Sequence, residues 1–267
     1  MIRDITIGQY YPAKSPIHRM DPRTKLFGTL IFIISVFLFH SVAGYAVATL
    51  FLAGMIIISQ VPVKFIFKGL KAIFMILMIT MVFNILLTPG EVLWKIGIFK
   101  ITREGIPMAV RMAIRLVYLV IGSSLMTLTT TPNQLTDGLE KSLRPLNKIH
   151  IPVHEIAMMM SIALRFIPIL LEETDKIMKA QIARGADFES GNLIQKVKNM
   201  VPLLVPLFIS AFRRANDLAM AMEARCYHGG DNRTQMKPLH YTRRDHIAYV
   251  VLFVYLAVAI GFRVMGW

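Results

Sequence analysis

The sequence predicts an all-α polytopic membrane protein with about five transmembrane helices, and a cytoplasmic domain of long crossed helices inserted before the last crossing. Three observations carry the prediction. The chain is 55% hydrophobic and only 17% charged, with positive mean hydropathy, which is not the composition of an ordinary soluble domain. Its apolar tracts have the length of membrane spans. Finally, the block 131–245 breaks the apolar pattern and carries sixteen of the 30 Lys and Arg residues.

The N-terminal segment MIRDITIGQYYPAKSPIHRMDPRTK has no apolar core of the kind a signal peptide needs, so no cleavage is expected. Residues 26–59 then form one apolar tract, which as a single helix would reach roughly 50 Å against a hydrocarbon core of about 30 Å. Charge decides between one crossing and two. Two crossings with a turn near HSVAG (40–44) put both Arg3, Lys14, Arg19, Arg23 and Lys25 and the later Lys64, Lys68 and Lys71 on the cytoplasmic side. Further crossings are expected at about 71–88 and 106–130, separated by an outer loop holding Lys95, Lys100 and Arg103 against Glu91 and Glu104. Arg111 and Arg115 lie four apart on one face near the outer end of the fourth crossing, either snorkelling to the interface or forming a buried pair. The fifth crossing is about 246–264, leaving Trp267 outside. The organisation is therefore 1–130 with four crossings, 131–245 cytoplasmic, and 246–267 with the last crossing. The N-terminus is expected in the cytoplasm and the C-terminus outside the cell.

Within 131–245 the apolar parts, about 151–171 and 200–212, could pass for a membrane hairpin. That arrangement would export 172–198 with Lys176, Lys179, Arg184, Lys196 and Lys198, against the positive-inside rule. A short helix after Thr131–Pro132 should end near Pro145. A long helix follows from about 153 to 184, with Ser161, Arg165, Glu172, Lys176 and Lys179 within about 60° on the helical wheel and apolar residues over most of the rest. Pro168 should kink it. A second long helix, about 192–226, has Pro202 and Pro206 in its middle.

Both long helices finish on one frame. AQIARG (180–185) and AMEARC (221–226) each read Ala, two residues, Ala, Arg, then a small residue. Arg in the last turn complements the helix dipole, and Gly185 suits the left-handed position beyond it. Small neighbours also leave each guanidinium projecting, able to form a bidentate bond with a carboxylate. Ala183, Arg184 and Gly185, with Ala224, Arg225 and Cys226, are thus two candidate docking tips. Cys226 departs from glycine, which predicts a looser second end, with the helix running on toward Gly229–Gly230.

Several chemistries are excluded or disfavoured. A net charge of +14 suggests nucleic acid only until the apolar blocks are weighed; no basic run is interleaved with aromatics. No Gly is followed by Lys, so the chain has no phosphate-binding P-loop of its own. Cys226, the single cysteine, rules out an internal disulfide. His150 and His154 have zinc-like spacing but are separated by Pro152. Glu172, Glu173 and Asp175 resemble a Mg²⁺-binding cluster of a lipid-phosphate enzyme, though adjoining lysines favour a solvated face.

Three motifs in order, SPIHRMDPRTKL (15–26), IALRFIPILLEE (162–173) running into AQIARG, and AMEARCY (221–227), resemble the transmembrane T component of energy-coupling-factor transporters. The resemblance covers nearly the whole chain; the usual Gly after the second Arg is replaced by Cys226. It implies a scaffold in the cell membrane that neither hydrolyses ATP nor binds substrate and needs no cofactor of its own. Two ABC-type ATPase subunits, which bind the ATP, would take the two tips. A separate S component would capture a vitamin or similar micronutrient. The two long helices would carry the ATPase motion to it through a surface assigned to Met158, Met159, Met160, Arg165, Pro168, Met178, Pro202 and Pro206, the flexible methionines suiting a partner that moves or exchanges. The competing reading is a conventional ABC importer permease lining the substrate path itself; few polar residues on the spans favour it.

Overall fold

The computed structural model describes residues 10–39, 41–96, 99–188, 192–229 and 236–264. Arg3, Gly230 and Trp267, named above, and His40, the first residue of HSVAG, lie outside them. The chain is mostly α-helical and divides into two compact units, one comprising 8–141 and 239–267 and the other centred on 142–238.

In the first unit, α1 (Pro22–Leu38) and α2 (Val42–Ser59) replace the single long helix that the apolar tract alone would permit. Phe39 is the C-cap of α1, and Ser41 caps α2 by accepting a hydrogen bond from Gly44 N at 3.2 Å. α3 (Val63–Leu87) starts earlier than its apolar pattern and bends by 57° between Lys71 and Ile73. α4 (Gly105–Thr129) and α8 (Arg243–Val264) match the remaining expected crossings. The loop between α3 and α4 holds a feature not anticipated: an antiparallel hairpin of β1 (Val92–Ile96) and β2 (Phe99–Thr102), with a register irregularity between Val92 and Trp94. Its base is pinned by Arg103 N donating to Glu91 O and Glu91 N donating to Glu104 Oε2, each 2.9 Å.

The core of this unit lies where α1, α2 and α8 meet: Phe32, Val36, Phe39, Tyr45, Ala48, Leu52, Tyr255 and Ala259. Phe51 stacks on Tyr255 with centroids 4.3 Å apart, and the Tyr255 hydroxyl meets Ser35 Oγ at 2.6 Å. Outside it, Phe27, Leu30, Ile34, Leu50, Phe67, Phe74, Met75, Phe253 and Val254 are exposed. So much exposed apolar area is the face of a protein solvated by lipid.

α5 (Pro132–Leu143) follows α4 directly and passes into a 3-10 turn, Arg144–Ile149. The second unit is then two long helices, α6 (Val153–Ala183) and α7 (Leu193–Ala224), each continuous through its internal prolines. By length and composition alone α2, α4, α6 and α8 could each cross a membrane, with bent α3 a fifth if it counts as one span. α1 is shorter, at 17 residues.

Candidate partner-docking site

The frame shared by the two long helices is also a shared backbone structure. At the end of α6, Arg184 is the C-cap and Gly185 has φ +88°. Gly185 N donates to Ile182 O at 2.9 Å and Ala186 N to Gln181 O at 3.0 Å. This pair of bonds is a Schellman ending. α7 repeats it: Arg225 is the C-cap, Cys226 N donates to Glu223 O at 2.8 Å, and Tyr227 N donates to Met222 O at 3.0 Å. Cys226 has φ +56°.

The expectation of a looser second tip is therefore overturned. The helix does not run on toward Gly229; it stops at the same position of the frame as α6. The bond from Tyr227 N satisfies a carbonyl that would otherwise be orphaned, and this holds Cys226 in the left-handed region despite its side chain, at a local cost of roughly 1–2 kcal/mol. Ala183, Arg184, Gly185, Ala224, Arg225 and Cys226 are all exposed. Among the described residues neither arginine has an ion pair or a side-chain hydrogen bond. A Cβ added to Gly185 would meet nothing within 4 Å, so only its backbone conformation, and no neighbour in the chain, asks for glycine.

The two helices are held to each other by hydrogen bonds that run from the α6 tip region back toward the middle of α6. Gln181 Nε2 donates to Pro202 O at 3.2 Å, Arg214 donates to Glu173 Oε2 at 3.0 Å, and Ser210 Oγ donates to Glu173 Oε1. Partners that climb α6 while descending α7 make the pair antiparallel where they touch. Arg184 therefore lies beside the early turns of α7, whereas Arg225 stands at its far end, roughly 40 Å away along the helix. Two tips so placed suit two separate docking partners. Glu173 was read from sequence as part of a solvated face; the structure corrects this, because both of its oxygens are engaged by α7.

The residues assigned to a coupling surface lie on these helices. Met159, Met160, Arg165, Pro168 and Pro202 are exposed; Met158, Met178 and Pro206 are half-buried. The exposed apolar surface extends beyond them along α7 through Val197, Val201, Leu204, Val205, Phe208 and Phe212, a run that sequence reasoning did not single out. His150 is a left-handed helix cap with φ +64°, and among the described residues no group of three or more His, Cys, Asp or Glu is placed to hold a metal.

SPIHRMDPRTKL has a structural role. Asp21 caps α1, accepting from Arg23 N at 2.9 Å and from the Arg23 guanidinium at 2.9 and 3.0 Å. Arg23 also lies over the Tyr241 ring at 4.0 Å and donates to Leu239 O. Asp21 N in turn donates to Asp245 Oδ1 at 2.8 Å, while Asp245 Oδ2 accepts from Thr242 N and Oγ1. The N-termini of α1 and α8 are thus held side by side with a carboxylate at each positive dipole end, and Lys25 Nζ covers the negative end of α4 by donating to Thr129 O at 2.8 Å. His18 completes the clasp. Its Nε2 donates to Tyr11 O, a group that can only accept, so Nδ1 is the acceptor for Ser15 Oγ. Asp245, fully buried, was missed; Thr242-x-x-Asp245 ahead of an apolar run is a capping-box pattern that could have revealed it.

Arg115 also has a definite place. It donates to Phe39 O at 3.2 Å and to the Tyr45 hydroxyl at 3.4 Å, sealing the turn between α1 and α2, while Arg111 is exposed.

Fold and site together define a polytopic helical membrane protein that carries a pair of long helices ending in exposed arginines. The CbiQ family, described as cobalt transport protein, matches residues 13–236. Relatives bearing the name energy-coupling factor transporter transmembrane protein EcfT include that of Clostridium kluyveri, 57% identical over 266 residues, 99% of this chain and 98% of the relative. That of Ruminiclostridium cellulolyticum is 55% identical over 96% of each chain, and that of Bacillus subtilis 49% identical over 98% of this chain and 100% of its own. The chain belongs to this CbiQ/EcfT family of transporter transmembrane components.

Proposed function

We propose that the chain is the scaffold and coupling subunit of an energy-coupling-factor importer, itself without catalytic activity. It passes the ATP-driven motion of two ABC-type ATPase subunits to an S component that binds a vitamin or similar micronutrient. The observation that carries this reading is the repeated helix end: two Schellman turns of the same geometry, each presenting an exposed arginine beside alanine. A guanidinium at such a tip seats against a carboxylate in a groove on each ATPase. The exposed apolar faces of α6 and α7 are the contact for the S component, and the lock between Glu173 and Arg214 makes the two helices respond together. In this reading α1, α2, α3, α4 and α8 cross the membrane, α6 and α7 stay on the cytoplasmic side because of the charge between them, the N-terminus is cytoplasmic and the C-terminus extracellular.

Uptake by the intact complex tests it. Stranding one partner of a desolvated charge pair costs on the order of 2–5 kcal/mol. Arg184→Ala and Arg225→Ala are expected to abolish most uptake and to lower co-purification of ATPase subunits, with the chain still in the membrane. Arg→Lys at either tip restores only part, since the planar fork is lost. Normal uptake by the double alanine variant would overturn the reading.

A further inference from the structure

A cavity of about 310 Å³ lies in the first unit among α1, α2, α4 and α8. Its wall on α1 runs from Thr24 to Phe32 and on α8 from Arg244 to Leu252, the opening turns of both helices; on α2 and α4 it takes the closing turns, Phe51–Ile58 and Gly122–Thr129. Each stretch rises about 12 Å, close to half of a hydrocarbon core of about 30 Å. The cavity therefore has the depth of one leaflet. Its rim residues Ile58, Ile247 and Val251 are exposed, so the opening is on the lipid-facing surface.

The charged groups of the lining are both cations, Lys25 and Arg244. Both sit at the level where α1 and α8 begin, since Asp21 N and Asp245 Oδ1 tie those two helix starts together. Arg244 is exposed and has no ion pair or hydrogen bond among the described residues. Lys25 Nζ donates to His18 O and Thr129 O, which leaves one of its three N–H groups uncommitted. The carboxylates nearby, Asp21 and Asp245, are already saturated by the caps of the two helices.

We infer that this cavity is a binding site for an anionic phospholipid, with one acyl chain in the apolar slot and the phosphate at Arg244 and Lys25. An apolar slot of leaflet depth with two cations at its interfacial end complements that amphiphile in both halves. The bound lipid fills a gap between helices whose own side chains do not close it, and so acts as a structural component of the span bundle. The site does not depend on the docking role of the tips.

The test is native mass spectrometry of the complex containing the full chain, delipidated in mild detergent and titrated with dioleoylphosphatidylglycerol or dioleoylphosphatidylcholine. The wild type is expected to retain the anionic lipid more tightly by about fivefold per cation engaged. Arg244→Gln lowers that affinity by about fivefold while leaving phosphatidylcholine unchanged, Arg244→Lys preserves most of it, and Ala248→Trp, which fills the slot, weakens both lipids. Helical circular dichroism confirms that each variant is folded. Equal retention of the two lipids by the wild type, or unchanged phosphatidylglycerol binding in both Arg244→Gln and Ala248→Trp, would overturn the site and leave only annular lipid. A photocrosslinker placed at Ile247 that captures a protein subunit instead of lipid would overturn it as well.

Discussion

Cys226 shows how much a single backbone conformation can demand. It holds φ +56° in a turn that glycine would adopt without steric cost, and Gly185 holds φ +88° in the equivalent turn. Cys226→Gly is expected to be neutral to stabilising by about 1 kcal/mol, the relief of left-handed strain being partly offset by the entropy of a freer unfolded chain. Gly185→Ala is expected to destabilise by about 1 kcal/mol for the converse reason, although no atom crowds the new Cβ. Thermal unfolding of the solubilised variants reads both; a rise in midpoint for Gly185→Ala would contradict the account. His18 supplies a pH dependence. Burial, its largest influence, and the nearby Lys25 charge outweigh the hydrogen bond to Tyr11 and lower its pKa below the ordinary 6.5. The unfolded chain therefore takes up the proton first as pH falls. The stabilisation from neutral His18 is complete above 6.5 and declines as pH drops below that value toward the folded pKa. Replacing His18 with Gln should flatten that part of the stability profile, and an unchanged slope would show that His18 does not contribute.

Between α6 and α7, one short network does the work that two apolar helix faces cannot do unaided, which is to fix their register. Apolar contact is tolerant of sliding, whereas Glu173 meets Ser210 and Arg214 only in one arrangement. Arg214 keeps 40% of its side-chain exposure, so the pair is worth about 1 kcal/mol and not the value of a fully desolvated bridge. A double-mutant cycle with Glu173→Gln and Arg214→Gln should return a coupling of about that size in unfolding. If the proposed transmission of motion holds, uptake should fall more than ATPase co-purification does, because the tips remain intact while the helices lose their fixed register. Loss of both in equal measure would make the network a docking element instead. At the turn between α1 and α2, Arg115→Met should loosen the helix pair by leaving the Phe39 carbonyl without its donor.

For the whole molecule, orientation in the membrane is the property most open to direct measurement. On a Cys226→Ser background, Lys196→Cys is expected to resist an impermeant thiol reagent in intact cells and to react in inverted vesicles. Labelling in intact cells would place the start of α7 outside and make α6, which is long and apolar enough, a sixth span. The argument against that span is electrostatic: Lys176, Lys179 and Arg184 would have to cross with it.

What could be read from the sequence was whatever depends on neighbours along the chain. Span lengths follow from runs of apolar residues, the break between α1 and α2 from a tract too long for one comfortable crossing with basic residues on both flanks, and the arginine tips from a short repeated frame. The family resemblance rested on the same local motifs. Tertiary structure decided the rest, because it depends on which distant groups meet. Asp21 and Asp245 are 224 residues apart, and neither shows by itself that it joins the starts of α1 and α8. Glu173 sits among charged neighbours and read as solvated until α7 was laid against it. Cys226 is the clearest case: intrinsic preference argued against a left-handed residue there, but the hydrogen bond from Tyr227 N to Met222 O, together with that from Cys226 N to Glu223 O, outweighs the preference. A propensity of about 1 kcal/mol yields wherever two backbone bonds would otherwise go unmade, and only the folded chain shows where that happens.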